Sequence, residues 1–177
     1  YEHTGDEQLK VYADIFTRRL EELKDYTGTH DLGFMVFCSF GNGYRLTGNE
    51  EYKDVINEAS ASLVTRFNPT VGCIRSWNTG RKEHPEEDYI VIIDNMMNLE
   101  MLEWSGYSDV ARKHADTTLA NHFRDDYSTY HVVTYNELTG AVTDKRTAQG
   151  RADESAWARG QAWGLYGYTM MYRTTGE

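Results

Sequence analysis

The chain has 177 residues, 40% of them hydrophobic, which is enough to bury one core and carries none of the biases of a disordered, collagenous or disulfide-knit protein. A formal net charge of −10 with 18 scattered Lys and Arg excludes a general nucleic-acid surface, which needs a dense basic patch. No run approaches the roughly 18 apolar residues of a membrane span. The polar start at Tyr1 does not read as a signal peptide, and the compartment stays open between cytoplasm and periplasm.

Two prolines against 15 glycines, with many Ala, Leu, Met, Glu and Tyr, favour helices, so the expected class is all-α. Along the chain, Thr4-Gly5-Asp6-Glu7 opens an amphipathic stretch with Leu9, Tyr12, Phe16, Leu20 and Leu23 on one face. His30 and Asp31 precede Leu32 to Leu46, a segment apolar nearly all round that must be enclosed. Thr47-Gly48-Asn49-Glu50 repeats the punctuation before a second amphipathic stretch, Tyr52, Val55, Ile56, Ala59, Leu63 and Phe67. Cys38, in an apolar run, and Cys73, in a loop, lack zinc spacing and read as free thiols.

Ile90 to Trp104 is the next all-round apolar segment, with Asp94-Asn95 near its start and Met96, Met97 and Met101 as a core stripe. Ser105-Gly106-Tyr107 introduces Tyr107, Val110, Ala111, Ala115, Leu119 and Phe123. A third enclosed segment, Ala156 to Tyr172, follows Asp153-Glu154-Ser155, and Thr175-Gly176-Glu177 repeats the punctuation once more. In each repeat Gly supplies a left-handed helix end and the next Asp, Asn or Glu suits a new helix start. Gly33, Gly41, Gly160, Gly164 and Gly167 would let the enclosed helices approach closely. His3, His84, His114 and His122 read as surface or core-edge residues, and the acidic runs Glu86-Glu87-Asp88 and Asp125-Asp126 as solvated loops.

Outer amphipathic helices alternating with enclosed inner ones describe a toroid or solenoid, in which no repeat buries its own face. The ends of the chain fall at matching points of the repeat. The expectation is a single partial toroid over residues 1–177, incomplete at both ends and needing the missing parts for a complete site.

If the inner helices run parallel, their polar starts share one end of the ring. Asp and Ser are favoured helix caps, and for Asp31, Asp94 and Asp153 that is the plain alternative to a functional role. Against it stands convergence: Trp77, His131, Gln149, Trp157, Arg159 and Trp163 also fall near helix starts and loops. Aromatic faces suit sugar rings, and Arg suits a carboxylate.

The blocks HDLGFM, IIDNMMNL, STYHVVTYN, TAQG and ESAWARGQAWGLYGY resemble, in order and over essentially the whole chain, the unsaturated glucuronyl hydrolases, a bacterial glycoside hydrolase family. The resemblance implies an (α/α)6 toroid, of which this chain would cover about three helix pairs. It also implies removal of a terminal unsaturated glucuronic acid from lyase-generated glycosaminoglycan or related oligosaccharides, by hydration of the C4=C5 double bond. Asp94 matches the family's general acid and base, and Asp31 its second essential carboxylate. His30, Trp77, His131, Gln149, Trp157, Arg159 and Trp163 match substrate-binding positions. The chemistry calls for no metal or cofactor, and the partner is the oligosaccharide, not nucleic acid or membrane. Two alternatives remain: an unsaturated rhamnogalacturonyl hydrolase, and a non-catalytic helical-repeat glycan-binding module whose aspartates are only caps. An acid at neutral pH needs a raised pKa, for which burial and the charge of Asp31 are the expected causes at Asp94.

Overall fold

The computed structural model describes residues 1–78 and 89–177; His84 and the acidic run at Glu86-Glu87-Asp88 lie outside the described residues. Three outer helices are α1 (Glu7–Arg18), α3 (Glu50–Val64) and α5 (Ser108–His122). A 3-10 turn, Glu21–Asp25, follows α1. Between the outer helices run the inner segments: a π-helix, Gly33–Gly41, continued by α2 (Asn42–Thr47); a 3-10 turn, Ile93–Asn98, continued by α4 (Leu99–Trp104); and α6 (Ala158–Thr175).

The repeated punctuation works as its residues dictate. Gly48 and Gly176 end α2 and α6 in the left-handed conformation, at φ 65° and 76°. Asp6 and Asn49 then cap α1 and α3 by accepting the N–H of Gln8 and Glu51. Tyr107 caps α5 with no side-chain bond.

Among the described residues two small antiparallel sheets join the helices, features that the helical reading did not contain. β1 (Phe67–Asn68) pairs with β2 (Cys73–Ile74), so Cys73 lies on a short strand and not in a loop. β3 (Tyr89–Ile92), β4 (Val132–Tyr135) and β5 (Val142–Arg146) form a three-stranded sheet in that order. The expected inner helix at Ile90 to Trp104 therefore begins only at Ile93. The cause is local: Ile90, Val91 and Ile92 are β-branched, and Ile90, Val91 and Ile92 register with Thr134, Val133 and Val132. Both faces of this strand are buried, Tyr89 and Val91 against Val133 and Tyr135, Ile90 and Ile92 against Val132, Trp77 and Ala148.

The main core joins Leu32, Val36, Phe40, Ile56, Ile93, Met96, Leu99 and Met101; Met97, the third residue of the expected methionine stripe, is only partly buried and lies outside it. Two expectations on α5 fail. Leu119 is exposed, whereas His114 and His122 are fully buried, because α5 turns Ala111, His114, Ala115, Thr118 and His122 inward. α1 has no buried residue and exposes Leu9, Tyr12, Ile15 and Phe16.

Close approach depends on glycine where α6 crosses the Ile93–Asn98 turn. A Cβ on Gly167 would stand 2.8 Å from the Met96 carbonyl oxygen, and one on Gly160 would stand 2.7 Å from Ile93 Cγ2. Gly33 likewise abuts Asn98, and its N–H donates to Asn98 Oδ1 at 2.9 Å.

Candidate active site

A buried polar chain holds the site's backbone in place. Asn95 Nδ2 donates to Ser76 Oγ and to the Ile74 carbonyl, both at 2.8 Å, and Asn98 Nδ2 donates to Asn95 Oδ1 at 2.8 Å. Ser76 Oγ also accepts the Ile92 N–H at 2.8 Å. Through Asn98 and Gly33 the chain reaches the π-helix that follows Asp31. Ser76, Asn95 and Asn98 are fully buried, so each lost bond would leave a polar group dry. Sequence reading missed these three. The available signal was polar Asn at two positions three apart inside an apolar run.

On this frame sits Asp94, second residue of its turn, with a side chain 14% exposed. Burial is the main influence and pushes its carboxyl up to about 6. Its own backbone N–H and a hydrogen bond from Trp163 oppose the rise, as does the charge of Arg159; the charge of Asp31 adds to it. His131 Nε2 stands 3.6 Å from Asp94 Oδ2. The expected causes, burial with Asp31 in support, are those found.

His131 in turn anchors a wall. Its ring lies 4.4 Å from that of Trp157 and 6.3 Å from that of Trp77, centroid to centroid. The Arg159 guanidinium stacks 4.2 Å over the Trp157 ring and donates to Gln149 Oε1. Trp163 meets Phe34 edge to face at 5.2 Å. Six of the residues singled out from sequence, Asp94, His131, Gln149, Trp157, Arg159 and Trp163, are thus linked by contact, and Trp77 joins through His131.

Asp31 lies before the π-helix with its side chain 45% exposed. Its Oδ2 accepts the Thr29 hydroxyl at 2.9 Å, and its Oδ1 stands 3.2 Å from His30 Nε2. His30 is only 1% exposed and reaches the site through Asp31, since its other nitrogen meets the Ser76 carbonyl. Neither inner segment has a side-chain cap at its start, so the reading of Asp31 and Asp94 as helix caps fails. Asp153 is no cap either: its Oδ1 accepts the Thr147 N–H at 2.8 Å and ties down the loop before α6.

Among the described residues no cluster of His, Cys, Asp and Glu is arranged to hold a metal ion. The site can hold a planar acid against Arg159 and Gln149, stack rings on tryptophan, and present a protonated carboxyl.

No protein-family profile matches the chain. An unsaturated glucuronyl hydrolase of Formosa agariphila is 49% identical to it over 99% of this chain and 45% of that protein. An unsaturated chondroitin disaccharide hydrolase of Streptococcus pyogenes is 34% identical over 98% of this chain and 45% of that protein. The crystal structure of an unsaturated glucuronyl hydrolase specific for heparin superposes with a TM-score of 0.94 at 49% identity, covering all of this chain and 48% of that one. The chain spans about half the length of the relatives it matches.

Proposed function

Because the chain belongs to the unsaturated glucuronyl hydrolases, α/α toroids of which it matches about half the length, we propose that it supplies the acid–base half of a site that hydrates unsaturated uronates. The observation that carries this is Asp94: a carboxyl raised to about 6 by burial, faced by His131 and walled by tryptophan. At neutral pH a useful fraction holds its proton, which an ordinary Asp does not.

In the proposed reaction Asp94 gives its proton to C4 of the C4=C5 double bond. Water adds at C5 and yields a proton back to Asp94. The product is a hemiketal at C5, whose ring opens and releases the next sugar. Arg159, braced by Gln149 and Trp157, would hold the uronate carboxylate, and Trp77, Trp157 and Trp163 the sugar faces. Asp31 would be the second carboxylate required.

The remainder of the ring is part of the proposal. The exposed apolar face of α1, beside a cavity of about 570 Å³ lined by Val11, Ala13, Cys38, Leu46 and Tyr52, is what a neighbouring inner segment would cover. Intact mass of the active species, read beside activity, tests whether a longer polypeptide completes it.

The deciding experiment follows loss of the ultraviolet absorbance of the conjugated uronate on unsaturated glycosaminoglycan disaccharides. The protein is expected to clear it, and Asp94→Asn is not. Clearance of unsaturated rhamnogalacturonan disaccharides instead would favour the related hydrolase; binding without clearance would favour the glycan-binding module.

A further inference from the structure

Each carboxylate of this site is flanked by residues that one closed circuit of hydrogen bonds holds. On the Asp94 side, Ser76 Oγ accepts from the Ile92 N–H and from Asn95 Nδ2, both at 2.8 Å, so one hydroxyl grips the chain before and after Asp94. On the Asp31 side, the carbonyl of the same serine accepts from His30 Nδ1 at 3.0 Å. The circuit closes where Asn98 Nδ2 donates to Asn95 Oδ1 at 2.8 Å and the Gly33 N–H donates to Asn98 Oδ1 at 2.9 Å. Asp31 thus stands between the anchored residues His30 and Gly33, and Asp94 between Ile92 and Asn95.

Both amides of the circuit have a single workable orientation. The Gly33 N–H can only donate, so Asn98 turns Oδ1 to it and Nδ2 to Asn95. The Ile74 carbonyl can only accept, so Asn95 turns Nδ2 to it and Oδ1 to Asn98. Backbone groups at the two ends, fixed independently, demand the same direction. Ile74 is itself pinned, because its N–H donates to the buried His114 Nδ1 of α5 at 3.0 Å. Reversing either amide would set oxygen against oxygen in a fully buried place.

Gly33 opens the π-helix, where backbone donors have no partner within the helix. Asn98 reaches it only for want of a side chain, since a Cβ there would stand 2.5 Å from Asn98 Oδ1. Among the described residues, this is the hydrogen bond that joins the π-helix directly to the Asp94 turn.

We propose that Asn98 and Asn95 are positioning residues that fix the separation of Asp94 from Asp31, so that turnover depends on them and affinity for the sugar does not. The catalytic consequence rests on the hydration chemistry proposed above, whereas the tie itself does not. Arg159 and Gln149, which would hold the uronate carboxylate, lie on α6 and in the loop before it, outside the circuit. Proton delivery to C4 needs Asp94 aligned with the bound ring, and a misplacement of about 1 Å at such a site costs about 10²-fold in rate.

Asn98→Leu tests this, since it keeps the branched shape and removes both bonds. On an unsaturated glucuronyl disaccharide, kcat per folded molecule is expected to fall about 10²-fold with KM held within about twofold. A structural role alone would lower the folded fraction and leave kcat per folded molecule unchanged, and that result overturns the proposal, as does a raised KM at unchanged kcat. Gly33→Ala breaks the same bond by displacement while keeping every polar group; it is expected to give the same split and serves if Asn98→Leu does not fold. Amide hydrogen exchange in the full-length protein reads the tie without substrate. Exchange at the residue 33 amide is expected to be slow in the wild type and faster in either variant; an unaltered rate overturns the proposal. Faster exchange in a protein whose wild type leaves unsaturated uronates untouched would sink the functional reading and leave the tie standing.

Discussion

Asp94 and Asp31 are the same residue type, each facing a histidine, yet the fold prepares them differently. Asp94 is set deep, on a turn gripped between the β3–β4–β5 sheet and the glycine face of α6, with a side chain 14% exposed. Asp31 stands at the head of the π-helix, 45% exposed and braced by the Thr29 hydroxyl. Depth raises the first carboxyl, whereas the second stays open to solvent. Environment, not residue identity, divides the proposed roles.

The harshest way to break this contrast is through the packing that makes Asp94 deep. Gly167→Val would drive a Cβ into the Met96 backbone and is expected to cost about 3 kcal/mol, read from chemical denaturation. The brace of Asp31 by the Thr29 hydroxyl lies outside that crossing. A neutral Gly167→Val would show that the turn is not gripped.

The pH dependence of stability sharpens the contrast next. A carboxyl whose folded pKa is about 6 against an ordinary 3.8 opposes folding once ionised: the penalty is absent below about 3.8 and complete above about 6. Its size is on the order of 2–3 kcal/mol at about 1.4 kcal/mol per pKa unit. Thermal melts should therefore show Asp94→Asn gaining on the wild type at pH 8 and not at pH 4. Buried His114 and His122 run the other way. Lowered from 6.5 to about 3 by burial, they contribute stability above pH 6.5 that is lost as the pH falls toward 3.

Comparing the two histidines gives a smaller effect. His131→Leu strands two inward N–H groups, those of Ala148 and Gln149, for a loss of about 1–3 kcal/mol. His30→Leu removes one donor from a carbonyl that keeps Arg66, and should cost less in the melts. Equal losses would count against this difference between the two Nδ1 contacts. The smallest effect expected is that of Asp153→Ala, about 1 kcal/mol for one partly exposed hydrogen bond.

Much of the helical order was legible because it is written locally. Thr-Gly followed by Asp or Asn marks a helix end and a helix start by backbone conformation and capping alone, and Gly160 and Gly167 announced a close crossing. The start of the Ile90 to Trp104 segment was misread because hydrophobicity says only that a run is buried. That Ile90, Val91 and Ile92 form a strand depended on a partner, Val132–Tyr135, some forty residues away. The site residues were recognisable as types, through the motif blocks, but their relations were not. Which His131 nitrogen faces Asp94, and that Asp153 ties a loop, follow from loop paths that no spacing records. The inward turn of His114 and His122 was hidden for a similar reason: the burial of α5 is decided by the sheet packed against it.

The most direct measurement is the absorbance of the conjugated uronate in an unsaturated glucuronyl disaccharide, followed with wild-type and Asp94→Asn protein at matched thermal stability. The wild type is expected to remove the absorbance and the variant to be slower by about 10²–10⁴-fold, the usual share of a general acid. Turnover by a folded Asp94→Asn protein at the wild-type rate would contradict it.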